Sequence, residues 1–400
     1  MRTPSRVKLL EKFCNGWKTI NYSRSTKYFR EKKKGKEVIT MRIGIDGRKI
    51  PEAKFRGSLG TLDHAKSLGM EGVFFRTILD VSPTLDKSVI RDLRQRADEL
   101  GLYLEAGLGK VNPYALPETP EVRELGDGDT LLGFRRMMEA CAEFDIRELW
   151  ISTAGIKQQY RGRFTTDRFR TDVSWEDQLE ATRRFMMKLK PIALDLGIHL
   201  NLETHEEITT FEILRLIESV GEDVVGIVFD TGNIFIRGEH PVFAAKRIAP
   251  YVRQTHLKDA YVELIEDGAY YQSRMCGSGL VDFTAVLTEL NKYRPDLNVT
   301  IECDTPRLGA VKGEPHFLEL YNPEWIAGHP DLSREEYAAY FELVRDFTER
   351  IRKGMVKTWQ QHHSENFEYP EAIQCIEYSR QHIENICKEL GIKRGDRAHA

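Results

Sequence analysis

The feature that most constrains this chain is a succession of eight short β-rich segments, each followed by a helical pattern. The segments are Arg42–Asp46, Gly72–Phe75, Leu102–Glu105, Glu148–Ser152, Ile198–Glu203, Val224–Asp230, Val252–Leu257 and Asn298–Glu302. Between them apolar residues recur at three- and four-residue spacing, as in Lys87–Leu100, Leu131–Phe144, Trp175–Leu196, Phe211–Val220, Phe283–Tyr293 and Arg334–Arg352. Gly101, Gly197 and Gly221 follow three of these helices, where a left-handed residue closes the last turn. Eight βα units predict an α/β fold, a (β/α)8 TIM barrel over residues 41–353. The alternative, an open doubly wound sheet, wants a glycine-rich phosphate turn after its first strand, and Asp46-Gly47-Arg48-Lys49 is not one.

The barrel is flanked on both sides. Residues 1–40 form a basic N-terminal extension with twelve Lys or Arg against three Glu, which leaves a net charge of −12 on the rest of a chain whose total is −3. Lys36-Glu37-Val38 can be encoded by a purine-rich ribosome-binding sequence just before Met41. Met41 is therefore expected to be the true start, with a disordered or docking extension and a transit peptide as alternatives. Residues 354–400 are expected to form a helical C-terminal appendage, with one or two amphipathic helices over Tyr369–Leu390. It is expected to pack on the barrel or on a partner subunit, the latter giving a homo-oligomer. His362-His363 read as solvated rather than metal-bound. Two long connections, Thr153–Ser174 with its arginines and lysine and Cys303–Ser333, are expected to shape a site on the C-terminal rim.

Composition excludes several classes. With 41% hydrophobic residues the chain can bury a core, and no run approaches the roughly 18 apolar residues of a membrane span. The acidic barrel argues against a nucleic-acid partner. Six cysteines without a C-x-x-C pair make no disulfide framework, so a cytoplasmic location is expected.

The chemistry sits at four strand ends: Glu203 on the fifth, Asp230 on the sixth, His256 on the seventh and Glu302 on the eighth. All C-terminal strand ends of a barrel face one rim, so these four converge. A single acidic residue closing a strand is commonly a helix cap; four consecutive strands ending this way read as a ligand set. Three carboxylates and one imidazole suit one divalent metal ion, Mn²⁺ or Mg²⁺, with Co²⁺ or Zn²⁺ tolerated.

The motifs Leu200–His205 (LNLETH), Val228–Asn233 (VFDTGN), Thr255–Asp259 (THLKD), Gly277–Phe283 (GSGLVDF) and Thr300–Glu302 (TIE), in this order and spacing, resemble the xylose isomerase-like TIM barrels, the sugar phosphate isomerase/epimerase superfamily. The resemblance runs from about Met41 to Lys353. It implies that the matching Glu, Asp, His and Glu bind the metal and that Glu203 and Glu302 are the catalytic acid/base pair flanking a carbohydrate. Endonuclease IV-like repair enzymes share the architecture but carry extra histidines; here Asn233 and the run Asp259-Ala260-Tyr261 stand where two of them would be. The expected reaction is isomerisation or epimerisation of a sugar, sugar phosphate or keto-sugar by proton transfer through a metal-stabilised enediolate. A lyase or dehydratase acting by β-elimination, as in C-glycoside deglycosidases, is the alternative, and a non-catalytic sugar-binding barrel is the alternative of another class.

His205, Lys258 and Arg274 are the expected substrate-binding residues; the resemblance supports Arg274, which precedes the Gly277-Ser278-Gly279 turn. Asn233 is expected to support Asp230, and Asp46 and Glu105 to line the pocket floor. Asp259 and Asp304 read as caps or rim charges.

Overall fold

The computed structural model describes residues 40–157, 159–302, 315–365 and 367–394. The N-terminal extension before residue 40, Gln158 and Asp304 lie outside these. Chain order gives eleven strands: β1 (Ile43–Asp46), β2 (Gly72–Phe75), β3 (Tyr103–Lys110), β4 (Glu148–Ser152), β5 (His199–Glu203), β6 (Val225–Asp230), β7 (Val252–Leu257), β8 (Asp259–Ile265), β9 (Gly268–Arg274), β10 (Val299–Ile301) and β11 (His316–Leu318). Eight of them close a parallel barrel in the order β1, β10, β7, β6, β5, β4, β3, β2. β6 is buried along its whole length, as a parallel strand covered on both faces must be.

The outer helices form where the periodicity placed them. Lys87–Leu100, Trp175–Leu196, Phe283–Tyr293 and Arg334–Arg352 have the expected bounds, while Thr130–Glu143 and Thr210–Val220 begin one residue earlier. Asp86, Ser174, Asp282 and Ser333 cap them by accepting first-turn N–H groups, which removes otherwise unpaired donors. Gly101 and Gly197 end two of them at φ 66° and 62°.

The C-terminal region carries a short helix over Trp359–Ser364 and a long one over Tyr369–Glu389, the latter set into the barrel wall. Its Tyr369 hydroxyl lies 3.1 Å from His64 Nε2 on the helix Ala53–Ser67, and its His382 ring meets Phe283 on the helix Phe283–Tyr293. Ile376, Ile383 and Cys387 are fully buried. This helix therefore holds the place of the eighth outer helix. Arg334–Arg352, expected there, lies instead against β8 and the turn after β6: Leu264 N donates to Thr348 Oγ1 at 2.9 Å and the Tyr340 hydroxyl to Phe235 O at 3.0 Å. Beyond the helix, Met41 pairs with Arg394, and Met41 N donates to Lys393 O at 3.0 Å.

Two further features surround the C-terminal rim. β8 and β9 form an antiparallel hairpin between β7 and β10, extended by β11 into a three-stranded sheet. The loop after β4 also meets the segment after β10, from the opposite side of the barrel. Thr165 Oγ1 lies 3.1 Å from His316 Nε2, Arg163 reaches Glu319 at 2.5 Å and Glu324 at 2.6 Å, and Arg168 Nε donates to Gly328 O at 3.0 Å. No helix among the described residues is long and apolar enough to cross a membrane.

Candidate metal centre

Glu203, Asp230, His256 and Glu302 are all buried, and one ligand atom of each lies within 4.8 Å of the others. They come from four adjacent staves, β5, β6, β7 and the end of β10. His256 Nδ1 sits 2.8 Å from Glu203 Oε1 and 3.6 Å from Glu302 Oε2. Asp230 Oδ1 is fixed by the backbone N–H groups of Gly232 and Asn233, both at 2.9 Å, so Asn233 supports Asp230 through its main chain.

Electrostatics set the centre's need. Burial opposes ionisation of Glu203, yet His205 and His256 more than offset it and hold the carboxyl down at about 2. Burial likewise opposes ionisation of Glu302, but Lys258, Lys49 and His256 hold it well below the usual carboxylate range. Asp230 goes the other way. Burial and the negative charges of Glu302 and Glu203 push it up to about 7, with Lys258 opposing. Glu203 and Glu302 are thus held charged by Lys258, Lys49, His205 and His256, whereas Asp230 is opposed by burial and by two neighbouring carboxylates, and a divalent cation would stabilise its charged form. The donor set, three oxygen ligands and one nitrogen, fits such an ion.

The three expected substrate-binding residues have separate surroundings. Lys258 belongs to the cluster: its Nζ is 2.9 Å from Asp230 Oδ2 and 3.5 Å from Glu302 Oε2. His205 is buried, with Nδ1 2.5 Å from Glu206 Oε2 and 2.8 Å from Glu207 Oε2, and Nε2 3.7 Å from Glu203 Oε2. These carboxylates outweigh the burial that disfavours its charge and raise its pKa well above the ordinary histidine value. Arg274 closes β9, where its guanidinium lies over the Tyr261 ring at 4.7 Å and donates to Gln272 and Ser273 of its own strand.

The remaining expectations fall out differently. Asp259 is a staple: its carboxylate accepts from Gly277 N, Gly279 N and Val281 N at 2.8–3.0 Å, which folds the glycine turn back onto β8. Asp46 caps the turn after β1 and pairs with Arg48. Glu105 does not end its strand, because β3 runs on to Lys110. It accepts from Asn298 Nδ2 and Thr300 Oγ1, and it lines a cavity of about 420 Å³ with Arg42, Tyr103 and Glu148 at the N-terminal end of the barrel, away from the four-residue cluster. The basic loop after β4 is not an open cationic surface. Lys157 pairs with Glu118 and Asp167, Arg163 with Glu319 and Glu324, and Arg168 with Glu212.

Other residues at the site were not anticipated. Trp150 Nε1 donates to Glu203 Oε2 at 2.9 Å, and Phe74 packs its ring 4.5 Å from that of His256. Both point inward from mid-strand, and an aromatic residue in a strand reads as core. Lys49 Nζ reaches Glu302 Oε1 at 3.4 Å. His205, Glu206 and Glu207 make a second group whose ligand atoms lie within 4.8 Å; the run Glu203-Thr204-His205-Glu206-Glu207 after β5 was the available signal.

The sequence profile of the xylose isomerase-like TIM-barrel family matches residues 62–321. The chain is 27% identical to an inosose dehydratase of Bacillus thuringiensis (strain Al Hakam) over 119 residues, 26% of this chain and 39% of that protein. It is 25% identical to a 3-oxo-isoapionate decarboxylase of Pectobacterium atrosepticum over 220 residues, 54% of this chain and 67% of that one. The chain spans less than half the length of the first curated relatives it matches. Among solved structures, D-psicose 3-epimerase in the presence of D-fructose superposes with a TM-score of 0.51 at 19% identity, covering 78% of this chain and 99% of that one, which is a likeness of fold.

Proposed function

The chain belongs to the xylose isomerase-like TIM-barrel family, and on that premise we propose that it is a divalent-metal-dependent enzyme of carbohydrate metabolism that epimerises or isomerises a keto-sugar. The observation that carries this reading is the buried convergence of Glu203, Asp230, His256 and Glu302 on one point. A divalent ion held by these four, Mn²⁺ or Mg²⁺ by donor chemistry, supplies polarisation of a carbonyl and charge for the enediolate.

The chain's own residues do the rest. Glu203 and Glu302 come from β5 and β10, the outer two of the four adjacent staves. A sugar seated between them presents one face to each carboxylate. One takes the α-proton and the other returns a proton, to the opposite face for epimerisation or to the neighbouring carbon for isomerisation. Trp150 fixes Glu203 and Lys49 approaches Glu302, so both acid/base groups are held in place. Lys258 balances Asp230 and Glu302 and stands beside the substrate oxygens.

A second reading, elimination from the same enediolate, is favoured by one observation: the two curated relatives described above are a dehydratase and a decarboxylase. In that case one glutamate takes the proton and a group β to the carbonyl departs. The test is incubation of the metal-loaded protein in D₂O with a panel of keto-sugars and 3-keto-glycosides. Deuterium at the α-carbon with a new epimer supports the first reading, loss of water or aglycone supports the second, and binding without any exchange leaves a sugar-binding barrel.

A further inference from the structure

Arg76 is the first residue after β2, on the same rim as the four-residue cluster. Its guanidinium lies over the Trp150 ring, 4.7 Å from the centroid, and Trp150 in turn donates to Glu203. One indole and one hydrogen bond therefore separate this cation from a proposed acid/base group. The stack depends on a gap in β3. A Cβ at Gly107 would stand 2.1 Å from Arg76 O and 2.7 Å from Trp150 Cε3, so only glycine there lets the Arg76 main chain and the indole close over the strand.

Among the described residues Arg76 differs from other cations of this rim in having no carboxylate within ion-pair distance. Arg48 is held by Asp46, Lys49 by Glu302, Lys110 by Glu118, and Lys258 by Asp230 and Glu302. The Arg76 guanidinium lies against the indole instead. A guanidinium placed over an indole retains N–H donors in a planar fork, and that fork matches the two oxygens of an oxyanion.

We propose that Arg76 is a substrate-binding residue and that the group it receives is an oxyanion, a carboxylate or a phosphate, carried by the keto-sugar. The inference rests on the proposed function for the rest of the molecule, but binding of an anion at Arg76 does not require the reaction to be as proposed. A divalent ion at the cluster offsets its negative charge and leaves the anion attracted rather than repelled.

Isothermal titration of the full-length protein in Mg²⁺ tests this with three probes: D-gluconate, inorganic phosphate and neutral sorbitol. Gluconate or phosphate should bind at one site, and whichever binds more tightly identifies the oxyanion. Arg76→Gln should weaken that anion at least tenfold or so, the loss expected for a charge-assisted hydrogen bond. Arg76→Lys, which keeps the charge without the fork, should recover part of it. Exposed Arg345→Gln controls for net charge and should change nothing. Sorbitol should not distinguish wild type from Arg76→Gln. Thermal melts of each variant separate unfolding from lost binding. If neither anion binds the wild type, or both bind Arg76→Gln as tightly, the proposal is overturned. The deuterium-exchange panel fails or succeeds independently of this result.

Discussion

Trp150 and Glu203 are joined between neighbouring staves: the indole N–H of β4 holds Oε2 of the β5 glutamate at 2.9 Å while Oε1 faces His256. One carboxylate is thereby oriented at both oxygens. Trp150→Phe keeps the ring and removes only the donor. Partners behind a metal ligand are typically worth 10–100-fold in metal affinity or activity. The variant should bind Mn²⁺ about tenfold or more weakly in equilibrium dialysis, with little change in the melting temperature of the metal-free protein.

The acid/base pair is tested one carboxylate at a time. Glu203→Gln and Glu302→Gln keep the size and remove the base. Each should lose on the order of 10²–10⁴ in turnover, while one of them retains α-proton exchange with a single epimer. Under elimination, only one of the two should fall this far. Deuterium incorporation measured on single epimers, with bound metal checked in each variant, gives the answer. Near-normal turnover in both would move the proton chemistry to His205 or Lys258.

Metal and fold should be coupled. Asp230→Asn and His256→Ala should lose the ion, which metal analysis after dialysis reads directly. Saturating metal should raise the wild-type melting temperature, because a ligand at a hundred times its Kd contributes about 2.7 kcal/mol. Chelator should remove that gain from the wild type and leave the two variants unmoved.

Glu105 gives a pH signature unrelated to catalysis. Burial raises its carboxyl to about 7, against hydrogen bonds from Asn298 and Thr300 that favour the charge. The native state therefore holds a proton that the unfolded chain releases near the ordinary glutamate value. Its contribution to stability is fully present below that value and is lost as pH rises to about 7. The loss is on the order of 3 kcal/mol at most. Glu105→Gln should flatten the urea midpoint between about pH 4.5 and 7 relative to wild type.

The tail packs as a structural member, which truncation tests. Removing residues 369–394 uncovers the faces that Ile376, Ile383 and Ile386 bury. Each buried isoleucine is worth about 1.5–3 kcal/mol, so the sum matches the whole stability of a typical domain. Circular dichroism melts of the truncated chain should show no cooperative transition. A preserved midpoint would mean that the helix is dispensable.

The legible parts of the molecule were those encoded locally. Hydrophobic periodicity and closing glycines such as Gly101 and Gly197 marked the helices, and strand-closing residues marked the cluster, because each signal lies within a few residues of what it specifies. The β8–β9 hairpin was legible too, since Asp267-Gly268 stands between two β-rich runs, but eight strands already satisfied a barrel. Glu105 was misplaced because Gly107 and Gly109 look like the end of a strand, whereas β3 continues through them with a register shift against β4. The basic loop misled for a different reason. Its partners Glu118, Glu319 and Glu324 lie 39 to 161 residues away in sequence, and charge neutralisation at that distance is a property of the fold alone.

The pairing of Met41 with Arg394 has a consequence for how the protein is made. The Met41 and Cys387 sulfur atoms touch at 3.8 Å, 346 residues apart. A ribosome releases the first stave long before the last helix exists, so the nascent barrel carries an open seam through almost all of its synthesis. Such closure places a long-range contact at the final step, where folding is slow and exposed strands invite association. Chaperone demand should therefore concentrate late in synthesis, once residue 394 can reach β1.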